Sequence, residues 1–166
     1  MRGLVFIVSL LGLVAVSPAL ARDTRPSLCT GEEVAIFSCA VGPEGKILSL
    51  CASPDLSETA GTLAYRFGRK ERLELTHPQG EAASRTAFRR GIVGAAGGDF
   101  IRFSRGDTTY TLVYTDGPRL PYFAGVEVHR GTKRIAALRC RKDPLGDDAF
   151  ALLYRGGLPS EIYELD

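Results

Sequence analysis

The sequence predicts an all-β domain, an antiparallel sandwich or barrel stapled by disulfides, with room for one short helix. Three observations carry this. Short apolar runs alternate with period two and are broken by Gly- and Pro-containing turns at regular spacing. No long stretch has the 3.6-residue periodicity of an amphipathic helix. All four cysteines follow an apolar leader, which suits a compartment where thiols oxidise.

Residues 1–21 read as a secretory signal peptide. Arg2 gives a positive start and residues 3–16 are almost wholly apolar. Ser17-Pro18 breaks the run, and Ala19-Leu20-Ala21 forms a small-x-small cleavage site. The apolar stretch falls short of the ~20 residues a membrane-spanning helix needs, and no second such stretch follows. The expected mature protein is a single domain over residues 22–166, periplasmic or secreted. Its about 145 residues are enough to bury a core without help from a metal.

Residues 33–40 form the first expected strand. Gly42-Pro43-Glu44-Gly45 is a turn, and Lys46–Ala52 returns to make a hairpin. In residues 62–67, Leu63, Tyr65 and Phe67 alternate with Thr62, Ala64 and Arg66, as a half-buried strand requires. Leu73 and Leu75 alternate in the next strand, reached through Gly68-Arg69-Lys70. Residues 81–90 read as a short helix stopped by Gly91. Residues 91–98, with four glycines, read as a loop. Their spacing leads into a strand rather than a helix, so it does not make a dinucleotide cradle. Residues 100–104 and 109–115 flank a hairpin turn at Arg105-Gly106-Asp107-Thr108. Phe123–Arg130 and residues 133–140 form the last clear pair, joined at Gly131-Thr132. Residues 150–154 suit either a strand or a helical turn.

Composition narrows the partners. The chain has 21 Lys and Arg against 19 Asp and Glu, well mixed apart from Arg89-Arg90 and the run Arg139-Cys140-Arg141-Lys142. Without a concentrated basic face, nucleic acid and anionic lipid are poor partners. Cys29, Cys39, Cys51 and Cys140 permit three disulfide pairings, and sequence does not choose among them. The expected pairing is Cys39–Cys51, stapling the first hairpin, with Cys29–Cys140 tying the N-terminal segment to a late strand. No C-x-x-C occurs, and His77 and His129 have no ligand spacing with the cysteines, so neither metal nor cofactor is expected.

The sequence argues against an enzyme. Ser104 lacks the first glycine of a nucleophile elbow and has no placed base. The pairs Glu32-Glu33 and Asp147-Asp148 are adjacent, and adjacent residues of an extended chain point to opposite faces. Arg105-Gly106-Asp107 matches the tripeptide of integrin ligands, but it is also what a tight hairpin turn demands. What remains is binding. Hairpin residues 104–110 offer Ser104, Arg105 and Tyr110 with Asp107, Thr108 and Thr109. A guanidinium among hydroxyls suits an acidic cleft on another protein.

Several segments resemble a group of small exported proteins of Gram-negative bacteria, many uncharacterised. They are Phe37-Ser38-Cys39 with Ser49-Leu50-Cys51, Tyr65-Arg66-Phe67-Gly68, residues 97–103, Gly106 with Tyr110, Gly125-Val126-Glu127-Val128, and residues 135–140. The layout is also similar to periplasmic inhibitors of invertebrate-type lysozyme, β-sandwiches that push a loop with Ser and Tyr into the enzyme's cleft. That resemblance implies roles for Ser104 and Tyr110, with Arg105 as an added contact to the acidic site. Here Arg105 stands between Ser104 and Gly106, and the Ser-to-Tyr spacing is longer than in those inhibitors. The expected function is protein binding, as a lysozyme inhibitor. The alternative is an envelope protein of structural or carbohydrate-binding type.

Overall fold

The structure is a computed structural model that describes residues 25–79, 84–93, 97–116, 121–146 and 150–163. The expected leader at 1–21 and the pair Asp147-Asp148 lie outside the described residues.

Among the described residues, ten strands form two sheets packed as a sandwich. The first sheet is an antiparallel meander of β1 (Val34–Val41), β2 (Lys46–Ala52), β3 (Leu63–Arg69) and β4 (Arg72–His77). The second contains β5 (Arg89–Val93), β6 (Asp99–Arg105), β7 (Thr108–Thr115), β8 (Phe123–Arg130), β9 (Lys133–Arg139) and β10 (Ser160–Tyr163). Its order is β10-β5-β6-β7-β8-β9, antiparallel except for the parallel pair β10 and β5.

Register explains the core. Phe37, Leu50 and Tyr65 share one row across β1, β2 and β3, and Cys39, Leu48 and Phe67 the next. On the second sheet Ile101, Leu112, Val126 and Leu138 share one row, and Phe103, Tyr110, Val128 and Ala136 the next. Period-two alternation turns both sets inward, and they pack as one cluster. The tail forms a helix, α1 (Phe150–Arg155), that closes one end of the sandwich. Phe150 meets Phe37 at 6.3 Å and Tyr114 at 6.1 Å between ring centres. Leu152 and Leu153 are buried beside it. Gly157, at φ +61°, supplies the left-handed turn that ends the helix.

The disulfides differ from expectation: they are Cys29–Cys51 and Cys39–Cys140, with Cα separations of 5.4 and 5.6 Å. The reason lies in the β1–β2 register. Cys39 faces inward opposite Leu48, whereas Cys51 is three residues further along β2 and points outward. That offset is about 10 Å along the strand plus a change of face, beyond disulfide reach. Cys51 instead meets Cys29 in the N-terminal segment, which lies across the outer face of the first sheet. Arg66 holds the same segment through both oxygens of Glu33, at 2.6 and 2.9 Å. The buried Ser38 and Ser49 hydroxyls join each other at 2.7 Å; Ser38 donates to the Pro26 carbonyl and Ser49 accepts from the Leu28 amide. Cys39 links the sheets through Cys140, which also bridges Val41.

Two further expectations change. Residues 84–87 make a single 3-10 turn, not a helix running through 81–90, of which 81–83 are outside the described residues. Gly91 lies in β5 instead of opening a loop. A Cβ on Gly91 would fall 1.8 Å from the Glu161 carbonyl oxygen, so glycine is what lets β10 approach.

Candidate functional site

The hairpin of β6 and β7 presents the residues singled out above. A two-residue turn, Gly106-Asp107, joins Arg105 to its partner Thr108. Gly106 has φ +59°, which glycine adopts at no steric cost. The neighbouring β8–β9 turn at Gly131-Thr132 ends level with it, and the Gly131 amide donates to the Asp107 carbonyl at 3.2 Å. Arg130 Nε lies 3.5 Å from Asp107 Oδ2, and Thr108 Oγ1 donates to Asp107 Oδ1 at 3.0 Å. The two tips are therefore one broad, tied edge and not a lone finger.

The structure divides the three candidate residues between two faces. Ser104 is exposed on the outer face, its Oγ 3.1 Å from Thr109 Oγ1. His129 follows Thr109 in the same row. Tyr110 faces inward and is half-buried, its ring stacked on Phe103 at 4.8 Å and 4°. Arg105, on the Phe103 side of β6, is exposed at the tip, with no acidic side chain in ion-pair distance among the described residues. Ser104 and Tyr110 cannot reach a common point, whereas Arg105 and Tyr110 share the inner edge.

Behind that edge is an aromatic stack that spacing did not reveal. The His77 ring lies on Phe103 at 4.3 Å and 15°, so His77, Phe103 and Tyr110 stack in series. Tyr65 and Phe88 complete the packing around Phe103, at 4.9 and 5.6 Å. Burial pushes the Tyr65 hydroxyl well above its ordinary range. Burial, assisted by the Arg105 charge, lowers the His77 pKa against the opposing pull of the Ala87 carbonyl, 3.5 Å from Nε2. His77 is thus held toward its neutral form as an end ring of the stack.

A pH dependence follows with a definite sign. The folded-state pKa of His77 lies below its unfolded value of about 6.5, so the unfolded chain binds the proton more readily. Stability will fall as pH drops through about 6.5 toward the folded pKa. Urea midpoints at about pH 7.5 and 5.5 check this, and His77→Phe will show a smaller drop across the interval. Glu33 acts in a lower window. Burial alone would raise its pKa, but the Arg66 and Thr30 contacts outweigh it and lower it. Its contribution is present above about pH 4.5 and is lost below that.

Among the described residues the metal-like grouping is Cys29, Glu33 and Cys51, with ligand atoms within 4.8 Å. Its sulfurs are bonded to each other and its carboxylate is held by Arg66, so it offers no thiolate to an ion. No helix of the described residues is long and apolar enough to cross a membrane. In comparisons with known proteins, no family model matches the chain, and neither a curated protein nor a solved structure matches it.

Proposed function

We propose that the protein acts outside the cytoplasm by binding another protein through the joined β6–β7 and β8–β9 tips, and that this partner is a lysozyme whose cleft the edge blocks. The observation that carries this reading is Arg105: an exposed guanidinium with no carboxylate partner among the described residues, beside a two-residue turn and backed by the stacked Tyr110 and Phe103. Glycosidase clefts hold a pair of carboxylates, and a bidentate guanidinium is suited to one of them. A tied edge loses little conformational freedom on docking, which favours inhibition. Two disulfides support an oxidising compartment.

The test is a panel of goose-type, chicken-type and invertebrate-type lysozymes with the purified mature protein. At least one enzyme should be inhibited. Arg105→Ala should weaken that inhibition by about tenfold or more, with Tm nearly unchanged. Ser104→Ala, on the other face, should weaken it less. No inhibition of any enzyme at micromolar excess sinks the reading.

A second reading is a carbohydrate-binding envelope protein. A groove of about 270 Å³ between the β1–β2 turn and β9 favours it. There Phe67 and Leu138 offer apolar surface beside Lys46 and Glu44. Saturable binding of a cell-wall saccharide, lost in Phe67→Ala, would support it over inhibition.

A further inference from the structure

We propose that the α1 end of the sandwich binds a neutral oligosaccharide of β-1,4-linked pyranoses. Three of the five large exposed apolar or aromatic side chains among the described residues gather there: Ile92 and Tyr154, each 49% exposed, and Tyr122, 41% exposed. Ile92 stands beside Asp99 across β5 and β6, and Asp99 beside Tyr114 across β6 and β7. From α1 the Tyr154 hydroxyl donates to Asp99 Oδ1 at 2.8 Å. The Tyr122 ring lies 6.3 Å from Tyr114, and its hydroxyl donates to Asp143 Oδ1, also at 2.8 Å. An exposed tyrosine held by a carboxylate thus occurs twice at one end of the fold. Asp99 and Arg105 open and close β6, so this end is about 20 Å from the hairpin tips and can be occupied whether or not they hold an enzyme.

Charge and shape select the ligand. The Arg90 guanidinium lies over the Tyr154 ring, 4.3 Å from its centre. One ring face is therefore taken, and the exposure of Tyr154 belongs to the other face and the edge. A cationic ligand would stack on a ring that already carries a guanidinium, and an anionic one would meet the Asp99 carboxylate. A neutral ligand incurs neither cost. A pyranose with equatorial substituents has flat C–H faces for an aromatic ring and a rim of hydroxyls that donate to a carboxylate. Asp99 Oδ2 suits that rim, because Oδ1 is the atom that holds Tyr154. Ile92 widens the apolar surface. Tyr122 with Asp143 supplies a second place of the same kind, which calls for a chain rather than a single sugar.

Chitotetraose, its deacetylated cationic form, anionic tetragalacturonate, N-acetylglucosamine and sorbitol are suitable probes, read by amide NMR shifts. Chitotetraose should saturably shift the amides of Ile92, Asp99 and Tyr154. N-acetylglucosamine should bind about tenfold more weakly, and each charged tetramer about threefold or more. Sorbitol, which has hydroxyls but no flat face, should not bind. Tyr154→Ala should weaken chitotetraose by about tenfold or more, and Tyr154→Phe, which keeps the ring, by about threefold. Tyr122→Ala, made away from α1, should bring the tetramer down toward the affinity of the single sugar. Leu73→Ala, which removes a side chain of similar exposure from β4, should leave binding within about twofold. No saturable binding overturns the site. So does binding of either charged tetramer or of sorbitol as tight as that of chitotetraose, a shift pattern centred on the Phe67 groove, or unchanged affinity in Tyr154→Ala and Tyr122→Ala.

Discussion

Replacing Cys39 and Cys140 together with alanine will lower the unfolding free energy by about 4–5 kcal/mol, the larger of the two disulfide effects. The bond spans 101 residues, so its loss releases most of the chain's loop entropy in the unfolded state. Cys29–Cys51 spans only 22, and the corresponding pair of alanines should cost about 3 kcal/mol. Alanine is the right replacement because Cys39 is 3% exposed and a buried serine hydroxyl would add its own penalty. Urea unfolding of the oxidised proteins measures both. A loss for Cys39 and Cys140 no larger than that for Cys29 and Cys51 would mean that the link between the sheets contributes less than its span implies.

Phe103→Ala will cost about 3–5 kcal/mol, the range for emptying an aromatic site in a packed core. Phe103 is 2% exposed and its ring touches Tyr65, His77, Phe88 and Tyr110. Removing it opens a cavity and also withdraws the surface on which Tyr110 rests. Phe103→Leu keeps most of the volume and should cost less than half as much. Because Phe103 and Tyr110 are in contact, Phe103→Ala and Tyr110→Ala should be markedly non-additive. Chemical unfolding of the two single variants and the double variant gives the coupling directly. Additive losses would show that Tyr110 does not depend on this ring.

Much of the sandwich was legible because antiparallel strands with one solvated face write their burial into alternation. Leu63, Tyr65 and Phe67, or Tyr110, Leu112 and Tyr114, announce an inward face, and the turns at Gly42, Gly106 and Gly131 are glycines at positive φ. The same alternation separates Ser104 from Tyr110, since each is one step from a residue of the other face. β5 and β10 were not legible. Their parallel pairing depends on a contact between Gly91 and Glu161 that no local pattern encodes. Disulfide pairing depends on which face each cysteine takes, and so on a register with a bulge between Ala35 and Phe37. The aromatic stack joins residues from distant strands, so it leaves no spacing to be found.

The cysteine connections also interleave along the chain, first to third and second to fourth. An oxidant acting on thiols strictly in order of synthesis would join Cys29 to Cys39 and Cys51 to Cys140, and both links would be wrong. Reaching the native pairs requires either that the β1–β2 hairpin form before its thiols are captured, or that early links be exchanged afterwards. Unless the hairpin forms first, production of this protein depends on a shuffling catalyst or a redox buffer as much as on an oxidant.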